Sequence, residues 1–288
     1  MTDFDQMQDT VYALTAAPDG TIFAGRASGL QRSGDEGASW QDAYETFESD
    51  VPLTTAALAA APDGRLFAGV NGGVLRSSDG GVTWFAASFG TPPPLVTALA
   101  VSPNFEEDGV VLAATAEDGV YSSSDRGNLW TPWNFGLIDL NAFSLALSPD
   151  FAKDQTAYIG TETGIFRSTN GGRAWRALPF PMDAAPVLSL AASPTVVLAG
   201  TETSGLYRST DRGKTWEPVI SEGSVSALSV QPGALWALVD DRILRSTDDG
   251  QTWADWKQFD AQQPLALLVR DGAVFVGFAD GTVGRFSA

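Results

Sequence analysis

The chain has 288 residues, 44% of them hydrophobic, with 35 acidic against 17 basic side chains, a formal charge of −18, and neither cysteine nor histidine. That length and apolar share suffice for a sizeable buried core. The missing residue types exclude disulfides, thiolate chemistry, cysteine-based zinc and every Ser-His-Asp arrangement, and the acidic surplus argues against nucleic acid or an anionic membrane as partner.

From the N-terminus, the first ten residues are acidic and polar, unlike a secretory leader, and no apolar run reaches the length of a membrane span. A cytoplasmic monomer is the default expectation. From Val11 onward one module recurs. It comprises an apolar strand, a turn such as Pro18-Asp19-Gly20 or Pro62-Asp63-Gly64, a second apolar strand, a short polar turn, a third strand, a tight Ser/Asp/Gly turn and a fourth strand. Short strands punctuated by turn residues predict an all-β fold. The inner strands, such as Ala98-Leu99-Ala100-Val101 and Leu188-Ser189-Leu190-Ala191, are continuously apolar, as strands covered on both faces are. In modules three and four the first turn lengthens to residues 104–108 and 150–154, where a turn capped by a docked Phe is favoured over a calcium loop because too few oxygen ligands recur. A seventh module starts at Leu265 and ends after its third strand.

The tight turn reads Ser-x-Asp-x-Gly-x-x-Trp and occurs six times, with Asp35, Asp79, Asp125, Asn170, Asp211 and Asp248 at its third position and Trp40, Trp84, Trp130, Trp175, Trp216 and Trp253 at its eighth. Ser and Asp side chains close such a turn on backbone N–H groups. The glycine accepts a positive φ, and the tryptophan covers the turn with its apolar face. These residues are therefore expected to be structural. A period of this length is the mark of a blade-by-blade propeller. The expected architecture is a single all-β domain: a seven-bladed β-propeller of four-stranded antiparallel blades spanning 9–50, 51–95, 96–142, 143–186, 187–224, 225–264 and 265–288, the last closed by residues 2–8.

The eight-residue turn resembles the Asp-box, or BNR repeat, of sialidases, xyloglucan-hydrolysing glycosidases, sortilin-type receptors and photosystem II assembly factor propellers. The resemblance implies the fold more than the function, because enzymes and binding proteins share the box. It also implies that ligands meet the face opposite the boxes. On the second-to-third turns of that face are Glu117, Asp118, Glu162, Glu202 and Asp240. The connections between modules hold aromatics, among them Trp133, Phe135 and Trp256. Acids inside an aromatic rim suit a non-catalytic binding or scaffold protein for a protein, peptide or glycan. The alternative is a glycoside hydrolase with paired carboxylates in the axial pocket. The sialidase Arg-Ile-Pro motif is absent, and Arg32, Arg76, Arg167, Arg208, Arg245 and Arg285 hold one repeated position that should tie blades together. The acidic balance departs from the basic surface of the assembly factors. No cofactor, metal or catalytic residue is expected.

Overall fold

The structure, a computed structural model, describes residues 8–45, 47, 53–90 and 93–288. They form seven antiparallel sheets in a ring, six of four strands and the last of three among the described residues. Within each sheet the spatial order of strands is the chain order, so every blade is a simple meander. First strands neighbour first strands around the axis, from Val11–Ala16 through Thr55–Ala60 to Pro264–Arg270, which returns to contact Val11–Ala16. The all-β seven-bladed propeller is the fold of this chain.

The apolar runs explain the packing. Second strands such as Ile22–Arg26, Leu66–Val70 and Val197–Thr201 are buried at every residue, because each lies between its own sheet neighbours with adjoining blades on both faces. A glycine late in this strand brings successive blades together. A Cβ on Gly69 would lie 2.5 Å from Val96 of the next blade, and one on Gly277 would lie 2.4 Å from Val11, so the contact that spaces blades two and three also spaces seven and one. In most blades the first strand carries a register shift just opposite this approach, as between Thr55 and Ala57 and between Val187 and Ser189. Such a bulge bends the strand and adds twist.

The lengthened first turns of blades three and four each contain one helical turn, Phe105–Asp108 and Phe151–Asp154, with the Phe buried. Their carboxylates cap the turn. Asp108 accepts from the Ser102 hydroxyl at 2.6 Å and the Val110 N–H at 2.9 Å, and Asp154 does the same with Ser148 and Thr156.

The six boxes share one hydrogen-bond scheme. The serine Oγ donates to the aspartate Oδ1 at 2.7–2.8 Å and accepts the glycine N–H at 2.8–2.9 Å; Asn170 uses its Oδ1 in the same way. Four boxes add a hydroxyl, from Ser39, Thr83, Thr215 or Thr252, donating to the aspartate Oδ2. The residue before the box glycine is also left-handed, as at Glu36, Arg126, Arg212 and Asp249, a feature the motif does not advertise.

These bonds favour the ionised aspartate. Hydroxyl and N–H donation from Ser39 and Thr252 holds Asp35 and Asp248 at about 2, and Thr215 does the same for Asp211. At Asp79 partial burial opposes the shift, but donation from Thr83 and Ser77 outweighs it and again brings the group to about 2. A carboxyl whose folded pKa lies below its unfolded value contributes stability above the unfolded value, and that stability is lost as pH falls through the folded one. The melting temperature is therefore expected to drop between about pH 4 and about pH 2. Changing Asp35, Asp79, Asp211 and Asp248 together to Asn, as nature has done at Asn170, should flatten that drop. Parallel melting curves of the two proteins would check it, and equal slopes would refute it.

Three of the six repeated arginines reach from blade to blade, whereas Arg245 lies over Trp236 of its own blade. Arg167 donates to the Arg212 carbonyl in the next box at 2.7 Å, Arg208 to the Asp249 carbonyl at 2.7 Å, and Arg285 pairs with Glu36 at 2.7 Å across the ring seam. On the opposite face, Arg26 holds the seam through Asp9 at 3.2 Å and the Gly281 carbonyl at 2.7 Å, while the Thr10 hydroxyl donates to the Ala279 carbonyl at 3.0 Å. Residues 9–10 thus lie against the seventh blade. The proposed closure of that blade by residues 2–8 falls, except for Gln8, outside the described residues. Deleting residues 1–8 tests it: the melting temperature should fall by several degrees, and an unchanged value would overturn the proposal.

Candidate functional site

The meander puts the first-to-second turns and the boxes at one end of the ring, and the second-to-third turns and inter-blade connections at the other. Glu117, Asp118, Glu162, Glu202 and Asp240 are exposed on the connection face. The turns that carry them are latched to the connections. Asn141 accepts from the Glu117 N–H at 3.1 Å and donates to the Glu162 carboxylate at 2.7 Å, so one side chain links the third and fourth blades. Asn134 donates to the Asp118 carbonyl at 2.8 Å. The Glu202 N–H donates to the Pro186 carbonyl at 3.1 Å, and Asp240 caps the Ser224 N–H at 2.9 Å. Glu117, Asp118 and Glu162 are gathered in one sector, whereas Glu202 and Asp240 belong to the turns of blades five and six.

The expected aromatic rim is largely consumed in packing blades together. Tyr44 meets the box tryptophan of the next blade, Trp84, edge-on at 5.5 Å. Phe89 stacks on Trp130 at 5.3 Å, and Phe180 meets Trp216 at 5.3 Å. Trp256 is displaced from its expected position. It lies in the fourth strand of blade six (Ala254–Gln258), edge-on to Trp236 at 5.2 Å and facing Phe286 of blade seven. Trp133 is also displaced. It lines a cavity on the box side with Asn104, Asp108, Phe151, Gln155 and Arg173, whose guanidinium sits 5.4 Å from the indole centroid. Its carbonyl accepts the Trp175 indole N–H. Neither indole joins the acids, because Trp133 meets the Arg173 guanidinium on the box side and Trp256 packs on Trp236.

Phe135 is the exception, at 80% exposed, with Ile138 at 85% in the same connection. Here Leu137 does the packing on the next blade, in the cluster that includes Trp175. Ile138, Asp139 and Leu140 form one wall of a groove of about 670 Å³, completed by Thr163, Ile165, Phe166, Leu178 and Phe180 of blade four. Sequence reasoning missed Ile138, Asp139 and Leu140. Their only signal was two aliphatic residues flanking an acid in a connection otherwise built around aromatics.

Asp139 accepts three hydrogen bonds. Its Oδ2 accepts from the Thr163 N–H at 2.8 Å and hydroxyl at 2.6 Å, and its Oδ1 from the Asn141 N–H at 3.0 Å. Partial burial works against ionisation, yet these donors hold the carboxyl below its usual range. Asp280 is likewise lowered, by Thr282 and Gln262. Against partial burial, donation from the Leu129 N–H and the Ser123 hydroxyl lowers Asp125 of the third box as well.

Comparison with known proteins agrees with this architecture. The BNR/Asp-box repeat matches residues 207–218, the fifth box and its flanks. No curated protein matches the sequence. Among solved structures, the extracellular domain of BT4673 from B. thetaiotaomicron is similar at TM-score 0.77 and 17% identity over 96% of this chain. The present chain spans only 38% of that one. YCF48 bound to a D1 peptide is similar at TM-score 0.76 and 15% identity, covering 98% of this chain and 93% of that one. A catalytically inactive virginiamycin B lyase from Staphylococcus aureus with quinupristin is similar at TM-score 0.79 and 12% identity, over 100% and 98% of the two chains. At these identities the likeness is one of fold. The chain is thus a seven-bladed β-propeller that carries an Asp-box (BNR) repeat at residues 207–218.

Proposed function

We propose that the protein is a non-catalytic binding propeller whose connection face takes a segment of a partner protein or a peptide. The observation that carries this reading is the connection between blades three and four. It holds large apolar side chains out to solvent on a backbone that is bonded at both ends. The Phe135 carbonyl accepts the Trp175 N–H at 2.8 Å, and the Leu140 carbonyl accepts the Gly119 N–H at 3.0 Å. A rigid loop presenting apolar side chains is already organised for binding, so little entropy is lost on association. Glu117, Asp118 and Glu162 beside it, with Glu202 and Asp240 farther around the ring, favour a cationic ligand.

Two similar structures bear on the choice. YCF48 with its D1 peptide is a precedent for a peptide on this fold. The inactive lyase had one histidine replaced by alanine, and the present chain has no histidine with which to run comparable chemistry. A panel of displayed peptides, a glycan array and a set of chromogenic glycosides would separate the possibilities. Peptide binding is expected, weakened by the double change Glu162→Gln and Glu202→Gln with nearly unchanged melting temperature. Glycoside hydrolysis that disappears in the double variant would overturn the reading in favour of a carbohydrate-active enzyme.

A further inference from the structure

We infer that the groove between residues 138–140 and the rim of blade four is the anchor site for an extended peptide bearing one large apolar side chain next to a lysine or arginine. The inference rests on the binding reading above and names the partner's chemistry. Its first support is the composition of the groove. Ile138, Leu140, Ala177 and Leu178 supply accessible apolar surface over a floor of buried Ile165, Phe166 and Phe180, and Asp139 is the one charged residue among those lining it.

Strand geometry keeps basic side chains out of the groove. In the hairpin of the third and fourth strands, Phe166 pairs with Ala177 and Arg167 with Arg176. The first pair lines the groove, whereas the second lies one step nearer the box end of the hairpin and outside it, and Arg167 reaches the fifth box instead.

The second support is charge complementarity at the rim. Glu162 adjoins Thr163 of the groove, and Glu117 and Asp118 occupy the turn whose Gly119 N–H bonds the Leu140 carbonyl. Asp139 keeps its charge at neutral pH because three donors already favour the ionised form. An acidic peptide would meet like charge on both sides of the groove, a repulsion that works as selection against wrong partners. A cationic side chain beside the apolar anchor meets Glu162 or Asp118 at the rim, where charge sets rate and salt dependence more than affinity.

The third support is the wall itself. It is tied at Phe135, Asp139 and Leu140, yet leaves Ile138 85% exposed. Covering so exposed a side chain with an apolar partner removes surface from water on both molecules.

The test is a selection of phage-displayed random dodecapeptides on the wild-type protein, followed by binding measurements with synthetic copies of the enriched sequences. Ile138→Asp and Glu162→Gln serve as variants, and Leu129→Asp on a box turn as a control for surface change elsewhere. Enriched peptides should pair Leu, Ile, Phe or Trp with a neighbouring Lys or Arg. Ile138→Asp should weaken binding by about tenfold or more and Glu162→Gln by a few-fold with a shallower salt dependence, while Leu129→Asp leaves it unchanged and all three variants keep the parental melting temperature. Enriched peptides that are acidic or lack an apolar anchor, or that bind Ile138→Asp as tightly as the parent, would overturn the groove while leaving the binding reading in place. A selection that enriches nothing would overturn both.

Discussion

Trp84→Ala is expected to destabilise the protein by about 3–5 kcal/mol, the cost of truncating a large aromatic in a packed core. The side chain is 4% exposed and packs edge-on against Tyr44 of the preceding blade's connection, and its indole N–H donates to the Gly81 carbonyl at 3.3 Å. Its loss therefore leaves a cavity between two blades as well as within one. Trp216→Ala should fall at the lower end of that range, because Trp216 is only half-buried and its indole nitrogen is buried without a partner, so less is lost. Asp211→Ala removes turn hydrogen bonds at the rim and should cost about 1 kcal/mol. Denaturant titration of the three variants checks the order. Equal losses would mean that the box tryptophans do not hold the blades together.

Gly127→Ala should cost about 2–5 kcal/mol, combining a left-handed penalty of about 1–2 with overpacking of about 1–3. The residue has φ +80°, and a Cβ there would lie 2.3 Å from the ring of Phe67 in the preceding blade. Phe67 is fully buried and edge-on to Phe105 at 5.8 Å, so the ring has nowhere to retreat. Gly64→Ala is the internal control. Its φ of +87° carries the same backbone strain, but no atom lies within 4 Å of the added carbon. The difference between the two variants measures the blade-to-blade contact alone. Equal losses would show that backbone conformation, not packing between blades, explains why the box needs its glycine.

The two variants also mark where sequence reading succeeds. The serine, aspartate and glycine of each box act on one another within a few residues, so their roles were legible in the motif, as was the retention of the fourth turn with Asn170. The repeated arginines were legible as blade ties only in part: Arg167, Arg208 and Arg285 reach the next blade, while Arg245 stays over Trp236 of its own. What the motif did not show is that the box glycine also receives the preceding blade. That contact joins Gly127 to Phe67, residues far apart along the chain.

The sequence by itself determined the repeat, the number of blades and the strand order within each, because those follow from local turn chemistry and from apolar runs of strand length. The candidate site was only partly legible. Glu117, Asp118, Glu162, Glu202 and Asp240 are on the expected face because strand alternation decides which turns share an end. Which aromatics stay exposed depends on what the neighbouring blade offers. Trp133 and Trp256 are taken into packing because Arg173 and Trp236 lie within reach of them, while Phe135 and Ile138 remain in solvent because Leu137 already fills the place on Trp175. Only tertiary structure decides that competition, since each side chain is placed by surfaces that meet across the ring rather than along the chain.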